Sequence, residues 1–241
     1  MKTSTYILST IDRLPKGYVF TYKDFITEVN GKEAIIKALN RMAASEKITK
    51  LSKGRFYKPE QTVFGELQPS QYQIVKDILE SNGKIVGYLT GYSIYNQLGL
   101  TRQVSNTIQI GKNEIRPTFT RERYTISFIK QKNTINKENI PLLQILDAIR
   151  YIKKIPDATI SASCKRFLTI LKSLKEDEIK TMVRLAKKYP PSTRALLGAM
   201  LEEINVNLYS ENLKQNLNPI TKYNIKGVSE ILSNTQNWNI E

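Results

Sequence analysis

The stretch Thr21–Lys58 reads TYKDFITEVNGKEAIIKALNRMAASEKITKLSKGRFYK, and its pattern decides the fold of the amino-terminal part of the chain. Thr21 stands three residues before Asp24, the spacing of a capping box in which each side chain satisfies an orphan N–H of the first helical turn. A helix is expected to begin there, with Phe25, Ile26 and Val29 on its apolar face and Asn30-Gly31 as its break. A second helix is expected over Lys32–Ala44, where Ile35, Ile36, Leu39, Met42 and Ala43 recur at helical spacing. At about 100° per residue, Ala34, Lys37 and Arg41 point away from that stripe, flanked by Glu33 and Asn40. Ile48–Leu51 and Arg55–Lys58 are then short extended runs around the turn-forming Ser52-Lys53-Gly54. Lys50, Lys53, Arg55 and Lys58 all fall on this hairpin.

Two helices followed by a basic hairpin are the outline of a winged helix-turn-helix, which presents one helix to a DNA groove and the hairpin to flanking phosphates. The candidate DNA contacts are therefore Thr21 and Lys23 at the first helix start, Ala34, Lys37, Asn40 and Arg41 on the second helix, and Lys50, Lys53, Arg55 and Lys58 on the wing. A helical pair with a hairpin also serves as a protein-interaction module, in which such cations are simply solvated. Upstream, Ile7, Ile11 and Leu14 share one face of a helix over residues 4–14, and Tyr18-Val19-Phe20 is a brief extended segment.

Charge is consistent with a polyanionic partner. Residues 1–58 hold 12 Lys and Arg against 5 Asp and Glu, and the 241-residue chain carries a net +15. The excess is +3 over residues 59–138, +5 over 139–205 and zero over 206–241, so basicity is densest at the amino end without being confined to it. The single cysteine, Cys164, excludes an intramolecular disulfide. No apolar run reaches the ~18 residues that span a bilayer, so no membrane partner and a cytoplasmic location are expected.

Residues 59–70 lose periodicity and contain Pro59, Gly65 and Pro69, and a linker is expected there. A short helix through Ile74, Ile78 and Leu79 comes after it. Next is GYLTGYSIYNQLGLT, Gly87–Thr101, with Gly99 as a helix stop, and Val104, Asn106, Ile108 and Ile110 alternate as a strand over Gln103–Ile110. Tyr124–Ile129 alternates likewise, which makes residues 71–138 a mixed α/β segment. From a cap at Asn139, stripes through Leu142–Ile152, Cys164–Leu174, Ile179–Ala186 and Leu197–Ile204 describe a helical bundle over 139–205. The tail, 206–241, has eight asparagines and the only tryptophan, Trp238, which is expected to anchor it. The fold class is thus α+β.

No chemistry is expected. The chain has no histidine, which removes Ser-His and Cys-His nucleophiles and histidine metal sites together. Cys164 lies on an apolar stripe and reads as a core residue, no phosphate-cradling glycine loop occurs, and Glu176-Asp177-Glu178 suits a helix start. Neither cofactor, metal nor catalytic residue is expected. The run Arg184–Lys188 and the pair Lys153-Lys154 are a second, weaker polyanion surface.

The segment Gly87–Ile110, GYLTGYSIYNQLGLTRQVSNTIQI, preceded by a winged helix, resembles the central signature of AbiEi-type antitoxins of type IV toxin-antitoxin systems. That signature opens Gly-Tyr-Leu-Ser/Thr-Gly, runs into a short helix ending Gly-Leu-Thr, and continues as a Gln/Val strand. The resemblance implies an antitoxin-like domain over 71–241. It also implies a transcriptional repressor that binds double-stranded DNA at inverted repeats in its own promoter. It implies, further, a functional partner in a nucleotidyltransferase-like toxin, opposed without a need for stable contact. A protein-interaction or RNA-binding role for the same module remains the rival expectation.

Overall fold

A computed structural model of the protein describes residues 3–26, 31–215 and 217–241. The chain divides into two compact units, Met1–Asp77 and Ile78–Glu241. Its architecture is mixed α+β, with eight α-helices and several small sheets among the described residues.

Unit 1 is built on helices α1 (Thr3–Arg13) and α2 (Lys32–Ala44) and the strands β1 (Val19–Thr21), β2 (Thr49–Ser52) and β3 (Arg55–Tyr57). The three strands pair antiparallel in the order β1-β3-β2, with a bulge in β2 between Lys50 and Ser52. Ile7, Ile11, Phe20, Phe25, Ile35, Leu39, Ile48 and Phe56 fill the core between them, with Phe20 and Phe25 packed edge to face. The capping box forms as its spacing dictates. Asp24 accepts from the Thr21 N–H at 2.7 Å, and Thr21 Oγ1 accepts from the Lys23 N–H at 3.2 Å. The cap opens onto a single 3₁₀ turn, Tyr22–Phe25, and Val29 and Asn30, expected to complete a helix, lie outside the described residues.

Residues 59–70, expected as a linker, instead carry a second hairpin, β4 (Glu60–Thr62) with β5 (Gly65–Leu67), and the division between units falls after Asp77, within α3 (Gln71–Leu79). Glu66 holds this hairpin to the first unit's sheet by accepting from Thr49 Oγ1 at 3.0 Å and from the Tyr57 hydroxyl.

Unit 2 opens with a minimal hairpin, β6 (Glu80–Ser81) and β7 (Lys84–Ile85), followed by β8 (Gly87–Thr90), β9 (Thr107–Lys112), β10 (Phe119–Arg121) and β11 (Tyr124–Lys130). The last four form one sheet in the order β10-β11-β9-β8, with β9 and β11 parallel and the outer pairings antiparallel. The expected strand over Gln103–Ile110 starts later, at Thr107, and Val104 is exposed. Its partners set the limit, since β11 begins pairing at Thr107 and β8 ends at Gln109. The expected short helix before Gly99 is a 3₁₀ turn, Gly91–Ser93, followed by further turns. Gly91 is required where it stands: its φ is +53° and an added Cβ would lie 1.7 Å from Gln109 Oε1.

The helices α4 (Ile140–Arg150), α5 (Ile160–Ser173), α6 (Glu176–Ala186), α7 (Pro191–Glu203) and α8 (Asn207–Lys214) complete unit 2. Asn139 precedes α4 but does not cap it. Its own φ and ψ are already helical, and its amide donates to Thr134 O at 3.0 Å. Cys164, Phe167 and Leu171 of α5 and Met182 and Ala186 of α6 are buried in one cluster with α4 and α7. The tail returns to the bundle, where the buried Trp238 donates from Nε1 to Glu202 Oε2 at 2.6 Å. Its ring lies over Gly198, where any Cβ would come within 2.1 Å of it. Gly198→Ala should therefore cost about 1–3 kcal/mol, as overpacking does, with the tryptophan emission shifting to the red. A urea midpoint and spectrum equal to wild type would show that the tail does not depend on this seat.

Candidate nucleic-acid interface and a buried acidic network

In unit 1 the outward face of α2 carries Ala34, Lys37, Asn40 and Arg41, beside Glu33. Glu33, Ala34, Lys37, Asn40 and Arg41 are all exposed. That orientation follows from the opposite side, where Ile35, Ala38, Leu39 and Met42 are buried. Lys50 is exposed on β2 and Lys53 is exposed at the hairpin turn. Lys37, Arg41, Lys50 and Lys53 have no ion pair among the described residues. Lys23 is exposed at the 3₁₀ turn, while Thr21 is taken up by its cap.

Two hairpin cations have other work. Arg55 forms a two-pronged ion pair with Asp77, Nη1 to Oδ1 at 2.9 Å and Nη2 to Oδ2, and its Nη1 also reaches Ile74 O. Lys58 Nζ donates to Asp12 O at 2.6 Å and Leu14 O at 3.0 Å, satisfying carbonyls at the end of α1. Neither is free to hold a phosphate in this conformation, which corrects the expectation from sequence. The paired fork and the carbonyl cap each hold a side chain against its own fold.

Unit 2 contains a polar cluster that sequence reading missed. Asp147, on α4, has no solvent exposure and accepts from three hydroxyls. Tyr88 and Thr90 of β8 donate to Oδ2 at 2.7 and 2.8 Å, and Tyr189, between α6 and α7, donates to Oδ1 at 2.8 Å. Gln131 Nε2 donates to both tyrosine oxygens, at 2.8 and 2.9 Å, and its Oε1 accepts from Asn133. The Tyr-x-Thr of GYLTG is thus two donors on one side of a strand, spaced by two to face one carboxyl. A signal for Asp147 was present: it stands four residues after the buried Leu143, on the apolar face of its helix.

Burial pushes the Asp147 carboxyl above its ordinary value near 3.8, and the three hydroxyl bonds and the Arg150 charge pull it part of the way back. Burial and the facing carboxylate likewise push the Tyr88 and Tyr189 hydroxyls up, so both stay protonated donors. Cys164, fully buried, is pushed up to about 12 by desolvation. Among the described residues no three metal-ligating side chains come together, and no helix is long and apolar enough to cross a membrane.

The fold and these two sites define a two-unit α+β protein with a cationic helix face in one unit and a sealed carboxyl in the other. The chain belongs to the family of unknown function DUF6088, which matches residues 6–182. No curated protein matches it. Among solved structures it is similar to the RV2827C protein from Mycobacterium tuberculosis, with a TM-score of 0.55 and 12% identity over 92% of this chain and 83% of that one, a likeness of fold alone.

The network generates two expectations. Tyr189→Phe should lower stability by about 1–3 kcal/mol, the cost of leaving buried hydrogen-bonding groups unsatisfied, and equality with wild type in urea would contradict the geometry. Because the folded carboxyl holds its proton to higher pH than the unfolded one, its contribution is fullest below about 3.8 and declines as pH rises through the folded value. The stability of wild type minus that of Asp147→Asn should therefore fall as pH rises above about 3.8. A difference that grows over that range would mean the native state prefers the ionised form.

Proposed function

We propose that this protein is an AbiEi-like antitoxin and DNA-binding transcriptional repressor, with residues 1–58 acting as a winged helix-turn-helix. The observation that carries the reading is the outward α2 face, where Ala34, Lys37, Asn40 and Arg41 lie together and the two cations have no ion pair among the described residues. A helix whose outward side offers a guanidinium, an ammonium and an amide suits the major groove, where Arg reads guanine and Asn reads adenine. Lys50 and Lys53 of the β2–β3 hairpin supply sequence-independent phosphate contacts. The resemblance at Gly87–Ile110 adds autoregulation through promoter repeats and opposition to a nucleotidyltransferase-like toxin. On this reading the protein works by binding, in the cytoplasm, and not by catalysis.

One observation favours a second reading. Val63 and Phe64, at the tip of the β4–β5 hairpin, are 93% and 99% exposed between the acidic Glu60 and Glu66. An apolar tip beside carboxylates suits a protein contact better than a phosphate backbone. Phe64→Ser that abolished function with DNA binding intact would favour it.

On the preferred operator Arg41→Ala should cost on the order of 1–3 kcal/mol, with little loss on random DNA. Lys53→Ala should weaken both alike and reduce the salt slope by about one. Arg55→Ala should act on stability, through the lost Asp77 pair, before it acts on the salt slope. Fluorescence anisotropy across a salt series separates the three; equal losses from Arg41→Ala on both DNAs would remove α2 from sequence readout. Beside its toxin, the Arg41→Ala protein should lose promoter repression and keep growth protection, and loss of both would tie protection to DNA binding.

A further inference from the structure

Unit 2 has a second cationic feature, concave where α2 is convex. A cleft of about 500 Å³ lies at the first turn of α7, with Arg150, Lys153, Lys154 and Lys222 around it and no carboxylate in its lining. Its volume is that of a small-molecule site. Two of the cations are occupied, Lys153 by Asn224 O and Lys222 by Glu241. Arg150 and Lys154 have no carboxylate partner among the described residues and sit against the Tyr151 ring, at 5.0 and 5.4 Å from its centroid.

The lining also holds an anomaly. Thr193 and Tyr223 both border the cleft, are 2% and 7% exposed, and have side-chain hydroxyls that are buried without any hydrogen-bond partner. A buried unpaired hydroxyl costs about 1–3 kcal/mol, so two in one lining are expensive unless something else satisfies them. Thr193 belongs to the first turn of the 13-residue α7, where the helix dipole adds positive potential. Ile152, Leu196 and Ile225 supply an apolar wall. A neighbouring cleft of about 380 Å³ shares Arg150 and adds Lys130, Lys132 and Lys188.

We propose that this cleft binds a small phosphorylated molecule of nucleotide size, its phosphate taken by Arg150, Lys154 and the hydroxyls of Thr193 and Tyr223, its apolar or aromatic part against the isoleucine and leucine wall. A phosphoryl group offers three acceptor oxygens to a guanidinium fork and two O–H donors, which matches the unspent donors on this lining. The site goes beyond the repressor reading and stands whether or not unit 1 binds DNA.

The test is calorimetric titration of the full-length protein with adenosine 5′-monophosphate, inorganic phosphate, adenosine and a single-stranded RNA. The nucleotide should bind one per chain and more tightly than phosphate, and adenosine should bind much more weakly. Arg150→Gln should reduce the nucleotide's affinity on the order of tenfold or more. Thr193→Val provides the control for folding. It deletes an unpartnered hydroxyl, so the unliganded protein should melt no lower than wild type while nucleotide affinity still falls. Exposed Lys187→Gln, outside the cleft, should change nothing. Equal binding of adenosine and its phosphate, unchanged affinity in Thr193→Val, or binding by RNA alone would each overturn the proposal, the last in favour of a surface that tracks a strand.

Discussion

The carboxyl of Asp147, sealed from water, is the constraint on which the second unit depends. A buried acid survives only if donors converge on it, and here the cluster draws on four separate parts of the chain: β8, the Gln131–Asn133 segment after β11, α4 itself, and the segment between α6 and α7. The order of donation is fixed throughout. Gln131 spends its oxygen on Asn133, so its amide nitrogen must face the tyrosines, and the tyrosines, having accepted from it, must donate to Asp147. Moving any one of these elements would strand a polar group in the core. The motif Gly-Tyr-Leu-Thr-Gly is therefore a structural device in this chain: two hydroxyls aimed inward, closed by a glycine that lets Gln109 approach.

How much of this was legible depends on where the deciding information lies. Helices α2, α5, α6 and α7 could be read because their apolar stripes are local and periodic, and the Thr21–Asp24 box because both members lie within one turn. The start of β9 could not be read. Val104 and Asn106 alternate as well as Ile108 and Ile110 do, but a strand extends only as far as its paired register, which with β11 begins at Thr107. Asp147 was missed for another reason, although its place on the apolar face of α4 was a signal. Periodicity sorts polar residues outward, and a buried acid is the case in which that sorting fails.

Two of the hairpin cations fail in the same way. Arg55 looks like a phosphate contact until Asp77, twenty-two residues on, is found beside it, and Lys58 until the carbonyls of α1 are seen. Carbonyls carry no sequence signal at all. Lys112, reaching Ile78 O, and Lys188, reaching Lys132 O, are used in this manner too.

A net charge of +15 is therefore an upper bound on what the protein can offer a polyanion, and a loose one. Each lysine or arginine that caps a carbonyl or closes an ion pair contributes little more than long-range potential to a partner, because a new contact must first break the old one. What matters is which cations remain after the fold has drawn its share. In unit 1 these include Lys37 and Arg41 on α2, with Lys50 and Lys53 on the hairpin; in unit 2, Arg150 and Lys154 at the α7 cleft. The first set is spread over a convex helix face and suits a groove wider than the helix itself. The second is gathered around a hollow with two unsatisfied hydroxyls, and suits an anion small enough to enter it. Shape, not charge, separates the two cationic surfaces.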